Sequence, residues 1–163
     1  YMKNLLFLSW PLVLGSIVYY LNKSISNVIA STLSPGSLST VNYAFIIATS
    51  PIIFFSQSIA IALFPVFAKQ TAYNYTEELT ILVRRSIRLL FFILIPISIL
   101  LIIMNQEIIH LLFERGEFTE KITADVSSAL LFFAIGILPT GLMGVLLQVF
   151  YATKKMKELL LFF

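Results

Sequence analysis

Apolar residues in this chain do not alternate with polar ones; they gather in long blocks separated by short polar breaks. A helix rises about 1.5 Å per residue, so about 20 residues cross the roughly 30 Å hydrocarbon core of a bilayer. Four blocks approach or exceed that length, at about 5–33, 38–67, 87–104 and 126–150. They predict an all-α membrane protein, a polytopic bundle with four transmembrane helices in this stretch. Ser34-Pro35-Gly36 marks a tight turn between the first two. Residues 68–80 read as a polar connection, within which Thr76 followed by Glu77 and Glu78 starts a helix with acids in its first turn. That helix runs through Arg84, Arg85 and Arg88 into the third span. Asn105 to Asp125 is too polar to span, but its apolar run from Ile108 to Phe113 predicts a short interfacial helix at about 106–115, closed by Gly116. Pro51, Pro65, Pro96 and Pro139 fall inside or near the ends of spans and predict bends. Gly136, Gly141 and Gly144 predict close helix packing in the fourth.

Composition agrees with this pattern. Apolar residues make up 59% and charged residues 12%, against about a quarter charged in a soluble domain. The chain has no cysteine and one histidine, which excludes a disulfide framework, a thiol nucleophile, a thiolate metal site and a histidine cluster; no cofactor is expected. The net charge of +3 follows from topology and calls for no nucleic-acid partner. Lys3, Lys69, Arg84, Arg85, Arg88, Lys154, Lys155 and Lys157 fall on one side of the four spans, and Arg115 and Lys121 on the other. By the positive-inside rule the first side is cytoplasmic. No basic, short apolar and small-residue pattern of a signal peptide opens the chain. A start at Tyr1 and an end in Leu-Leu-Leu-Phe-Phe suggest a piece of a larger protein.

One charge is out of place. Lys23 stands near the middle of the first span, where a lysine costs about 2.5–3.5 kcal/mol on the insertion scale. At about 100° per residue, Ser16, Tyr19, Tyr20, Ser26 and Asn27 fall within about 60° of its direction. The polar face predicts the wall of a water-filled cavity in which the ammonium meets an anionic substrate or coupling ion. The other readings are a carboxylate partner on another helix, or a side chain that snorkels to the interface.

Asn42, Thr49 and Ser56 recur every seven residues in the second span, a stripe that serves either as cavity wall or as interhelical glue. Arg84, Arg85 and Arg88 hold the span edge to an anionic leaflet or bind a substrate phosphate. His110 reads as an interfacial side chain before a proton carrier. Outside the loops the chain offers no carboxylate pair, nucleophile with base, or phosphate loop, which disfavours an enzyme acting on lipid.

At Leu111–Thr119, LLFERGEFT, the sequence resembles the MurJ/MviN family of lipid II flippases. Pro11–Asn22, Leu33–Ala44, Ile61–Gln70 and Val149–Lys157 resemble the same family in the same order, over nearly the whole chain. The resemblance implies the multidrug/oligosaccharidyl-lipid/polysaccharide exporter superfamily: two six-helix lobes around a central cavity, with this chain forming the first four helices of the second lobe. It implies a multi-pass protein of the bacterial cytoplasmic membrane, surrounded by membrane lipids and by the remaining helices of the transporter. By alternating access it would move a lipid-linked glycan pyrophosphate, lipid II, from the inner to the outer leaflet. Lys23, Ser16, Tyr19, Tyr20, Ser26, Asn27, Asn42 and Thr49 are the expected cavity lining. The sequence departs from the family where an Asp-Arg pair usually follows Tyr43-Ala44; here Phe45-Ile46 stand instead, and an acidic position of the first span is Ser26. The departure leaves room for another lipid-linked oligosaccharide or polysaccharide repeat, or for a membrane scaffold that has lost transport. A cation-coupled drug exporter is disfavoured, because the first three spans carry no intramembrane carboxylate.

Overall fold

The computed structural model describes residues 17, 20–32, 36–115 and 118–153. They are almost entirely helical, with no strand among them. Residues 20–32 form α1. After Gly36, whose φ of 95° is the left-handed turn conformation that glycine adopts at no steric cost, α2 runs Ser37–Pro51 and passes through a π-helical stretch, Ile52–Gln57, into α3, Ser58–Ala72. Then follow α4 (Thr76–Ile103), the short α5 (Asn105–Phe113) and α6 (Glu120–Thr153). Three helical runs among the described residues are long and apolar enough to cross a membrane: Ser37–Ala72, Thr76–Ile103 and Glu120–Thr153.

Within the connection expected over 68–80 the helix start at Thr76 is present, whereas residues 68–72 are helix rather than connection. α3 continues to Ala72 and α4 begins at Thr76, leaving three residues between them. Asn74 makes the turn with φ 56°, a conformation that asparagine tolerates better than most residues. The Tyr75 amide donates to the Gln70 carbonyl at 2.9 Å, and the Tyr73 and Tyr75 rings stack at 5.7 Å. Polarity marked where the chain leaves the apolar layer, whereas the helices end only where the backbone turns.

α6 is the element on which the others pack. Its buried residues Thr123, Val126, Ser127, Leu130, Ala134, Ile137, Gly141 and Val145 recur at three- and four-residue steps and form one stripe. Against it lie α2, the π-helical stretch, α3, α4 and α5, which contribute Ala44, Ile47, Ala48, Phe67, Leu90, Leu94 and Ile109 to the core. On the outer surfaces Phe54, Phe92 and Phe132 are 73%, 78% and 79% exposed. Such a surface would aggregate in water and is ordinary in hydrocarbon, where lipid tails are as apolar as leucine.

The π-helical stretch explains why the seven-residue polar stripe does not stay on one face. Pro51 has no N–H to donate and its ring crowds the carbonyl of Ile47; the helix widens directly after it. Beyond this point residues no longer follow the 3.6-residue period, and Ser56 is fully buried against α6 while Asn42 is exposed. The Ser56 hydroxyl donates to the Gly141 carbonyl. A Cβ built on Gly141 would collide with Leu94 and lie 3.6 Å from the Ser56 Cβ; one on Gly144 would lie 3.1 Å from the Ser56 hydroxyl. Ser98 on α4 donates to the Ala134 carbonyl of α6 at 2.6 Å. Ser56 is therefore glue.

At the other end α5 folds back onto α6. Glu114 accepts a 2.7 Å hydrogen bond from Thr123 and lies 3.7 Å from His110. Tyr43, Phe113 and Phe118 cluster with ring centroids 5.0, 5.6 and 5.9 Å apart. A short helix stands as α5 where the sequence predicts one, whereas the closing Gly116 lies outside the described residues.

Gly141→Ala is expected to destabilise by about 1–3 kcal/mol through overpacking against Leu94, read as a lower thermal unfolding midpoint in detergent. Gly136→Ala meets no atom within 4 Å and should be neutral or stabilising by up to about 1 kcal/mol. Equal effects at the two glycines would refute the close-contact reading. Thr123→Val, which removes the hydrogen bond to Glu114, should destabilise by about 1–3 kcal/mol and so lower the same midpoint.

Candidate functional site

Gly36 sets the geometry of the candidate site by turning α1 back along α2. The turn brings α1 beside α2: the Lys23 ammonium sits 5.9 Å from the centroid of the Phe45 ring, within cation–π range. Phe45 in turn meets Phe133 of α6 edge-on at 5.8 Å. Lys23, Phe45 and Phe133 thus connect α1, α2 and α6 in one line.

The polar face of α1 is turned toward this neighbour. Asn27 and Ala30, four and seven residues beyond Lys23 on the same face, are half-buried and buried. Tyr20, Lys23 and Ser26 remain exposed, and Ser26 donates to the Asn22 carbonyl at 2.9 Å. On α2, Asn42 is exposed and Thr49 half-buried. Thr49 donates back to the Phe45 carbonyl at 2.7 Å, so its hydroxyl is engaged within its own helix. Asn42, Phe45 and Thr49 share one face of α2, away from Ala44, Ile47 and Ala48, which enter the core. Ser16 and Tyr19 lie outside the described residues.

Phe45 is the participant that a search for polar residues misses. Its signal in the sequence was its place between Asn42 and Thr49 at helical spacing. Among the described residues no carboxylate lies within ion-pair distance of Lys23; the ion pair found there is His110 with Glu114, in α5 and the loop after it. Glu77, Glu78, Glu107, Glu114, Glu120 and Asp125 all belong to helix ends or loops. An aromatic face attracts the ammonium without neutralising it, and the ammonium keeps N–H donors for an anion. Chemically, the arrangement can hold a phosphate oxygen. It contains no nucleophile paired with a base.

Comparison with known proteins places the chain in a family. A family model described as "Lipid II flippase MurJ" matches residues 1–161. The "Probable lipid II flippase MurJ" of Helicobacter pylori strain J99 is 32% identical over 149 residues, covering 91% of this chain and 32% of that protein. Its counterpart in Rhizobium tropici is 30% identical over 96% of this chain and 29% of its own length. That of Borreliella burgdorferi is 28% identical over 90% and 29%. The chain therefore spans about a third of the length of the curated relatives it matches. No solved structure matches it. With its family pattern matched from end to end and its apolar helices long enough to cross a bilayer, the chain belongs to the lipid II flippase MurJ family.

Proposed function

We propose that this chain forms part of a flippase that carries lipid II, an undecaprenyl-pyrophosphate-linked cell-wall precursor, from the inner to the outer leaflet of the bacterial cytoplasmic membrane. The observation that carries the reading is the Lys23 ammonium, held by the Phe45 ring with no carboxylate partner among the described residues; the hydropathy pattern puts it near the middle of its apolar block. A pyrophosphate crossing hydrocarbon needs a cation waiting for it, and a cation already neutralised by a carboxylate would have to break that pair first. Phe45 is also one of the two residues at which the chain departs from the family's Asp-Arg pair. An aromatic ring there supplies an attractive surface for the lysine without competing for its charge.

The mechanism is binding and release, with no covalent step. In the inward-open state the pyrophosphate displaces water from the Lys23 ammonium and accepts its N–H bonds. Asn27 and Asn42 flank the site with amides that can bond the sugar-peptide headgroup, while the polyprenyl tail stays in lipid beside the exposed apolar faces. Alternating access then needs relative motion between this helical group and the remaining helices of the transporter. Lys23 and Phe45 would travel with the cargo as one unit, because Phe133 ties Phe45 to α6.

The reading is tested by native mass spectrometry of the full-length transporter titrated with lipid II and with undecaprenyl phosphate. Lys23→Ala is expected to weaken lipid II binding by about tenfold or more, the usual loss for a charge-assisted hydrogen bond. Lys23→Arg should retain most of it. Phe45→Leu, which keeps bulk and removes the ring, should cost about two- to fivefold. Unchanged lipid II binding in Lys23→Ala would remove the lysine from the site. Binding of neither lipid by the native protein would favour another lipid-linked glycan as cargo.

A further inference from the structure

The arginines of α4 are not used by the site around Lys23, and the structure gives them a setting of their own. Between the last turns of α3 and the first turns of α4 lies a groove of about 240 Å³ lined by Val66, Gln70, Glu78, Ile81, Leu82 and Arg85. Val66 and Gln70 are one turn apart on α3; Glu78, Leu82, Ile81 and Arg85 fall on adjacent turns of α4. Arg84, Arg85 and Arg88 are exposed, as is Lys69 in the last turn of α3. Among the described residues none of these four cations is ion-paired, although Glu78 lines the same groove as Arg85.

The face of α4 that carries Arg85 changes character abruptly. Ile81, Arg85 and Arg88 share it with Phe92 and Ile99, and beyond Arg88 it is wholly apolar, with Phe92 78% and Ile99 50% exposed. A charged groove opening onto an exposed apolar strip matches a molecule with an anionic head and a hydrocarbon tail. Four unpaired cations against Glu77 and Glu78 leave this end of the bundle positive, which selects an anionic head over a zwitterionic one.

We propose that the α3–α4 groove binds an anionic glycerophospholipid of the phosphatidylglycerol class. The phosphodiester accepts from the Arg85 guanidinium, whose fork suits two phosphate oxygens, and from the Gln70 amide. Glu78, two turns nearer the start of α4, accepts from the glycerol hydroxyls of the head, and the acyl chains run down α4 past Phe92 and Ile99. The lipid fastens α3 to α4 at the membrane boundary, where the direct connection is three residues long.

The test is native mass spectrometry of the detergent-purified protein titrated with dioleoylphosphatidylglycerol, with dioleoylphosphatidylcholine, and with inorganic phosphate as competitor. Phosphatidylglycerol is expected to bind about fivefold or more tightly than phosphatidylcholine, and Arg85→Gln to remove that preference, since each basic residue near the surface contributes about a fivefold effect. Gln70→Leu keeps every charge and should still weaken phosphatidylglycerol binding. Lys121→Gln, which loses the same charge at the opposite end of the bundle, should leave it unchanged. Equal retention of the two lipids would overturn the proposal, as would equal losses in Lys121→Gln and Arg85→Gln, or displacement of the lipid by millimolar phosphate. Lipid II is absent throughout and Arg85→Gln leaves Lys23 intact, so a preference lost in that variant reads the groove and not the site around Lys23.

Discussion

The close approach of the π-helical stretch to α6, where Ser56 lies against Gly141 and Gly144, is the contact on which the bundle depends. Between helices in hydrocarbon there is no hydrophobic drive to associate, so packing and interhelical hydrogen bonds have to supply the attraction. Two glycines let the backbones approach, and the hydroxyl of a serine finds a carbonyl that a larger neighbour would keep out of reach. Leu94 fills the third side of the same junction. Three of the helical elements therefore meet at one crowded point of α6, with Ser98 bonding the Ala134 carbonyl two turns away.

The widening after Pro51 belongs to the same arrangement. A regular helix would have kept Ser56 on the face of Asn42 and Thr49, away from the core. Losing one backbone donor at a proline is tolerable in a membrane only if the carbonyls it frees find other partners, and the π-helical stretch is the backbone's accommodation. Its consequence is a functional division of one helical run. The α2 half presents Asn42, Phe45 and Thr49 beside α1, whereas the half beyond the proline is committed to packing.

That division places the lysine. α1 packs by Ala30 and Asn27, on the face that Lys23 shares, so the ammonium is directed across to α2 and finds an aromatic ring. The two basic regions then differ in kind. Lys23 stands alone in the middle of an apolar block, whereas the arginines of α4 stand together where the exposed face turns apolar.

Hydrophobic blocks longer than the bilayer core determine much of this protein from sequence alone. They specify helices, because a single apolar segment satisfies its own backbone in lipid only as a helix. The apolar run ending in Leu111-Leu112-Phe113 specified the short α5, and the cost of a mid-span charge singled out Lys23 before any coordinates. Tertiary structure decided the rest. Hydropathy reports the solvent around a residue and not its φ and ψ, so residues 68–72 read as part of a connection although they continue α3. Periodicity assumes 3.6 residues per turn, so it placed Ser56 with Asn42 until the proline changed the period. A search for polar side chains found the lysine but not its ring, because Phe45 and Phe133 are ordinary membrane residues until the turn at Gly36 and the packing on α6 bring them to Lys23. Which face of a helix meets a neighbour depends on the partners it finds, and those lie far away in the chain.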